Sequence, residues 1–247
     1  MKLKQAVLAA ASLLASGVVL AQAAATAPEP DYTASVNVGV VSDYRYRGIS
    51  QSRLKPALQA GADFAHKSGF YIGTWGSSIK WIEDAGGDAN MEVDLYGGYK
   101  FNAGPVAVDV GALRYFYPSS SLPVNPDTTE LYVAGTYGPA TLKYSHAVTN
   151  LFGFADSKNS YYIDLNATFD TGFWGLTFVP HIGYQRVSHN SSFSYTDWSL
   201  GLGKDFGNGL SASLAYVDTN ANGYLSPSGK DLGKATAVLG LKYTYSF

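Results

Sequence analysis

The chain has 247 residues, among them 27 Gly and 19 Tyr, and no cysteine. One all-β domain fits this length, and disulfides and thiolate metal sites are excluded. The formal charge of −2 gives no basic surplus for a nucleic-acid partner. Beyond the amino terminus no window approaches the ~18 continuous apolar residues of a membrane helix.

Met1 to Lys4 is a short basic start, Ala6 to Leu20 an apolar run, and Ala21-Gln22-Ala23 has the small-x-small form of a signal-peptidase site. These features predict a cleaved signal peptide over residues 1–23. Loss of Lys2 and Lys4 turns 17 basic residues into 15 against 19 acidic ones, a mature net charge of −4. Residues 24–31 (AATAPEPD) read as a flexible periplasmic lead-in, and 32–247 as the folded domain.

From there the chain divides into twelve segments of alternating apolar and polar residues. Tight connections at His66-Lys67-Ser68-Gly69, Asn102-Ala103-Gly104, Gly138-Pro139, Asp170-Thr171-Gly172 and Gly207-Asn208-Gly209 have hairpin-turn composition. Longer polar connections take the other positions: Ile49 to Ser52, Glu83 to Ala89, Pro118 to Asp127, Thr149 to Asn159, Ser188 to Ser192 and Thr219 to Leu232. Strict alternation of short turns and long loops is the signature of an outer-membrane barrel. The expected fold is a twelve-stranded antiparallel up-and-down transmembrane β-barrel. Ten or fourteen strands stay open, because Ala140 to Ala147 is short.

Aromatic residues border every short turn: Phe64, Phe70, Phe101, Tyr137, Phe169, Phe173, Trp174, Phe206 and Phe247. They predict an interfacial girdle. A second girdle is expected from Tyr44, Tyr46, Tyr115, Tyr117, Tyr161, Tyr184, Trp198 and Tyr216. The last strand alternates from Ala235 and stops on an aromatic residue. Tyr243, Tyr245 and Phe247 resemble a terminal assembly signal, read by the β-barrel assembly machinery.

The family resemblance rests on SDYRYRGISQS (residues 42–52), on Pro56-Ala57-Leu58-Gln59, on SGFYIGTWGS (68–77) and on DLYGGY (94–99). In these stretches the chain resembles the TorF family of porins, formerly filed as the Gcw_chp family. The resemblance implies an outer-membrane location and a pore.

Charge on the lipid face near the midplane costs roughly 2–4 kcal/mol for Arg or Lys, so the polar parity of each strand must face the lumen. If Thr33 to Gly48 is one strand, Asp43, Arg45 and Arg47 point inward, joined by Arg53, Lys55, Gln59 and Asp63 on the next. Glu92, Asp94, Glu130 and Asp197 supply an acidic wall opposite. Asp109, Asp164 and His181 line the lumen deeper down. Arg114 and Lys204 fall on the apolar parity and read as snorkelling side chains or bulges. Basic facing acidic walls suit a constriction with a transverse field. The same charges could instead pair and plug the interior. Nearer the periplasm Asp63, Asp109, Asp164 and Asp205 oppose Lys100, Lys143 and Lys242, at most a weak cation preference.

The expected function is passive diffusion of small hydrophilic solutes or ions through a barrel embedded in outer-membrane lipid. A closed structural or surface barrel is the alternative, and an outer-membrane lipid hydrolase a third. No nucleophile motif accompanies His66, His146, His181 or His189, and no pattern calls for a cofactor or metal. The loop Glu83 to Asn90 offers oxygen ligands of the Ca²⁺ type but lacks EF-hand spacing, so it reads as a solvated loop.

Overall fold

A computed structural model describes residues 30–247. The expected signal peptide and residues 24–29 of the lead-in lie outside them. The strands are β1 (Tyr32–Val41), β2 (Arg45–Tyr46), β3 (Ile49–Ser50), β4 (Ala57–His66), β5 (Phe70–Ser78), β6 (Met91–Ala103), β7 (Val106–Phe116) and β8 (Thr128–Tyr137). They continue as β9 (Ala140–Ala147), β10 (Tyr161–Ala167), β11 (Phe169–Asp170), β12 (Leu176–Arg186), β13 (Tyr195–Gly207), β14 (Leu210–Thr219) and β15 (Thr236–Ser246). β11 only prolongs the line of β10 along β12, and β2 with β3 forms a separate hairpin. The remaining strands make a closed antiparallel barrel of twelve staves, each paired with its chain neighbours.

Closure runs through β1 and β15, with Val36 opposite Tyr245 and Val40 opposite Leu241. The Phe247 amide adds one more bond, donating to the Ala34 carbonyl at 2.9 Å. A closed ladder leaves no strand edge unpaired, which is the condition for crossing lipid with strands.

The period of two sorts the side chains. Val36, Val38, Val40, Leu58, Ile72, Leu95, Val133, Leu142, Leu165, Leu202, Leu214, Leu239 and Leu241 are all exposed on the outer surface. An apolar band of this extent is a lipid-facing surface. At the short-turn end it is bordered by exposed Phe64, Phe70, Phe101, Tyr137, Phe169, Phe173, Trp174, Phe206 and Phe247. Their rings meet in pairs, such as Phe70 with Tyr99 at 4.7 Å and Tyr245 with Phe247 at 5.0 Å. The loop end has a girdle of Tyr144, Tyr161, Tyr184, Trp198 and Tyr216, whose adjacent rings lie 5.6–6.3 Å apart.

Inside, tyrosine rings lie across glycines on neighbouring strands. A Cβ on Gly73 would stand 2.5 Å from the Tyr96 ring, and one on Gly111 would stand 2.5 Å from the Tyr132 hydroxyl. Tyr71 lies over Gly98 and Tyr162 over Gly183 in the same way. Glycine here makes room for a phenol to lie flat on the wall.

Candidate functional site: a hairpin folded into the lumen

The expected strand from Thr33 to Gly48 ends early. β1 stops at Val41, which pairs with Ala57 at the start of β4, and the residues between turn back into the barrel. Arg45 pairs with Ser50 and Tyr46 with Ile49 around a tight turn at Arg47 and Gly48. Both turn residues have positive φ, 47° and 82°, as a type I′ hairpin requires. Every residue from Asp43 to Ser50 is buried.

Burial of so many polar groups is tolerable because most of them find partners, Arg45 Nη2 being an exception. Arg45 Nε donates to Asp43 at 2.5 Å, and its Nη1 donates to the carbonyls of Gly48 and Leu232 at 2.9 and 3.0 Å. Ser50 Oγ donates to Asp43 at 2.5 Å. Tyr44 donates to Glu92 at 2.6 Å, and Tyr117 donates to the same carboxylate at 2.8 Å. Arg47 reaches across the lumen, donating to both oxygens of Glu130 at 2.8 and 3.0 Å and to Gln185 Oε1 at 2.5 Å.

Apolar packing completes the closure. Tyr44 meets Trp75 edge-on at 5.3 Å, and Tyr46 meets Tyr115 at 5.5 Å and Phe152 at 5.3 Å. Val41, Leu113, Ala215, Val217 and Val238 belong to the same buried cluster. Burial, and after it the Glu92 charge, holds the Tyr44 phenol well above its ordinary pKa; Tyr117 is raised by the same two causes. Both phenols therefore act as neutral donors to Glu92.

The short-turn half of the lumen is lined by half-buried polar groups. Tyr96 donates to Asp63 at 2.5 Å and Tyr71 to Asp109 at 2.6 Å. Lys100 approaches Asp109 at 4.0 Å. Lys143 stands 4.1 Å over the Tyr132 ring. Where this half meets the hairpin, buried His181 is held between Asp164 and Asp197, each at 2.9 Å from one ring nitrogen. Both nitrogens are thereby taken by carboxylates, an arrangement that leaves no acceptor for a serine proton.

The expected basic wall is corrected. Asp43, Arg45 and Arg47 are inside the barrel on a folded-in loop, and two of the cations touch carboxylates directly. Arg53 is on the loop side, paired with Asp84 and, at 3.9 Å, with Glu83. Lys55 is exposed at the base of the hairpin, while Gln59 stays half-buried on β4. Arg53 with Asp84, Lys80 with Glu83 at 2.7 Å and Ser121 with Asp88 at 2.6 Å take up the carboxylates of the candidate Ca²⁺ loop.

The second girdle is corrected too. Tyr44, Tyr46, Tyr115 and Tyr117 are buried within the lumen, and only Tyr161, Tyr184, Trp198 and Tyr216 of the expected set stay outside. Arg114 does point outward, donating to Asp127 at 2.9 Å, and Lys204 snorkels to the Trp174 carbonyl. Gln185 and Tyr162 belong to the site without having been singled out. Their signal was parity, since both fall in step with inward His181 or Asp164.

A family model described as a bacterial protein of unknown function (Gcw_chp) matches residues 23–245. The chain belongs to the Gcw_chp family. No curated protein matches it in sequence. Among solved structures it is similar to the KdgM porin, with TM-score 0.55 and 8% identity over 87% of this chain and 99% of that one. The NanC porin gives TM-score 0.54 and 12% identity over 85% and 98%. A KdgM porin in complex with disordered oligogalacturonate gives 0.54 and 8% over 87% and 99%. These likenesses agree on one fold, the closed barrel of porins.

Proposed function

We propose that the protein is an outer-membrane porin-like channel for passive diffusion of small hydrophilic solutes or ions, and that the hairpin is its gate. The TorF designation forms part of this proposal. The short turns then face the periplasm and the long loops the exterior, after export by the signal peptide. No bond is made or broken.

The observation that carries this reading is the nature of the closure. What fills the outer half of the lumen is a loop, hinged where Val41 pairs with Ala57. The wall of the other half stays polar, lined by Asp63, Tyr71, Tyr96, Lys100 and Asp109. A barrel closed only for stability has no need to bring Arg47 across the lumen. The likeness to solved porins supports the reading.

The competing reading, a closed structural or surface barrel, draws on the buried cluster of Tyr44, Tyr46, Tyr115 and Tyr117. Liposome swelling and planar-bilayer recording separate the two, using the whole protein and a variant with residues 43–55 replaced by a short turn. A channel conducts in bursts when intact and continuously when shortened. A shortened, folded barrel that passes neither ions nor small sugars ends the channel reading.

A further inference from the structure

The groups around Arg47 make up a cation site that the chain fills with its own side chain. The guanidinium is 4% exposed. Glu130 holds it in two hydrogen bonds, Gln185 in a third, and the Tyr162 ring lies 4.2 Å from its central carbon. Glu130, Gln185 and Tyr162 belong to the barrel wall, on β8, β12 and β10. Carboxylate, amide oxygen and aromatic face are the three groups that recognise a flat organic cation.

Two more observations point the same way. Arg47 occupies a left-handed turn position, φ 47°, which Asn or Gly fills at least cost, so its side chain sits there against backbone preference. On β6, Asp94 is 2% exposed, and its Oδ1 has no hydrogen-bond partner among the described residues. Asp94 pairs in register with Tyr115, whose hydroxyl donates to Glu130 at 3.3 Å. The ion pairs at this level draw their cations from the hairpin or from His181. When the hairpin leaves, Arg45 and Arg47 leave with it, while Glu92, Asp94, Glu130 and Asp197 stay on the wall. Among the described residues no group of three or more carboxylates and imidazoles could hold a metal ion. The Tyr162 face beside the Glu130 carboxylate suits a diffuse cation that lies against a ring.

We infer that the solutes are small organic cations bearing a guanidinium or primary ammonium group, and that Arg47 is a tethered mimic of them that holds the site while the channel is shut. This rests on the channel reading above. The test is planar-bilayer recording of the full chain and of Arg47→Ala in asymmetric KCl, followed by titration with methylguanidinium chloride. Cations should pass over chloride by roughly tenfold in Arg47→Ala, the scale set by partly screened wall carboxylates. Methylguanidinium should shorten its open times, and Glu130→Gln or Asp94→Asn added to Arg47→Ala should abolish that block. Arg47→Gln, which keeps a donor for Glu130, serves if Arg47→Ala does not fold. Equal or greater passage of chloride, or block that survives Glu130→Gln, overturns the inference and leaves Arg47 a mere latch. Silence of every folded variant, the shortened hairpin included, removes the channel itself and the inference with it.

Discussion

Tyr46 and Tyr115 join their hydroxyls at 2.7 Å, one on the folded-in hairpin and the other on the barrel wall. The bond ties the tip of the loop to the staves around it. Replacing Tyr46 with Phe removes it while keeping the ring packing, at a cost of about 1 kcal/mol to docking. The expected outcome is an open probability raised about fivefold in single-channel records. Unchanged gating would show that ring packing alone seats the hairpin.

Glu130→Ala strips Arg47 of its carboxylate and leaves a buried unpaired cation, a change that costs about 3–5 kcal/mol. The hairpin should spend most of its time outside. Limited trypsin digestion of proteoliposomes reads this directly: Arg45 and Arg47, both buried, resist cleavage in the parent and are cut in the variant. Continued protection of both sites would mean that Asp43 and the tyrosines hold the loop without Glu130.

Gly183→Val places a branched side chain where the Tyr162 phenol lies, and overpacking of this kind costs about 1–3 kcal/mol. The expected result is a lower unfolding midpoint in urea, partly restored when Tyr162 is also replaced by Ser. A midpoint equal to the parent's would show that the ring moves aside freely.

The raised phenols of Tyr44 and Tyr117 give a pH dependence. With the hairpin docked both stay protonated; undocked, Tyr44 takes its ordinary pKa near 10. The Tyr44 contribution to docking is therefore constant below about pH 10 and weakens as pH rises above it. Conductance should climb beyond about pH 10, less steeply in Tyr44→Phe. A climb unaffected by that substitution would assign the effect to other groups.

Phe247 donates its amide to Ala34 and presents its ring to the girdle, 74% exposed. Its deletion should slow assembly in cells, followed by heat-modifiable migration of the membrane fraction, while barrels that do form conduct as the parent does. Normal assembly would set aside Tyr243, Tyr245 and Phe247 as a signal.

Much of this barrel is legible in the residues because strand parity is a local property. Met91 to Phe101 alone separates lipid from lumen, and loop lengths sort the two ends. The hairpin is not legible that way. Asp43 to Arg47 alternates charge and aromatic as a strand would, and only Gly48 hints at a turn. Tyr115 shows a different failure: counting by twos from Asp109 carries it inward, but aromatic identity near a strand end argued for the girdle. The partnership of Arg47 with Glu130 and Gln185 joins residues 83 and 138 positions apart, which no local pattern encodes.

The pairing of Val41 with Ala57 at the root of the hairpin has a consequence for competition. Arg47 cannot diffuse away; it returns to Glu130 at an effective concentration in the millimolar range, as short flexible tethers give. A free cation must exceed that level, or bind better than guanidinium on a strained turn, to keep the lumen open. The protein would then respond to abundance, shut in dilute surroundings and admitting its solute only where that solute is plentiful.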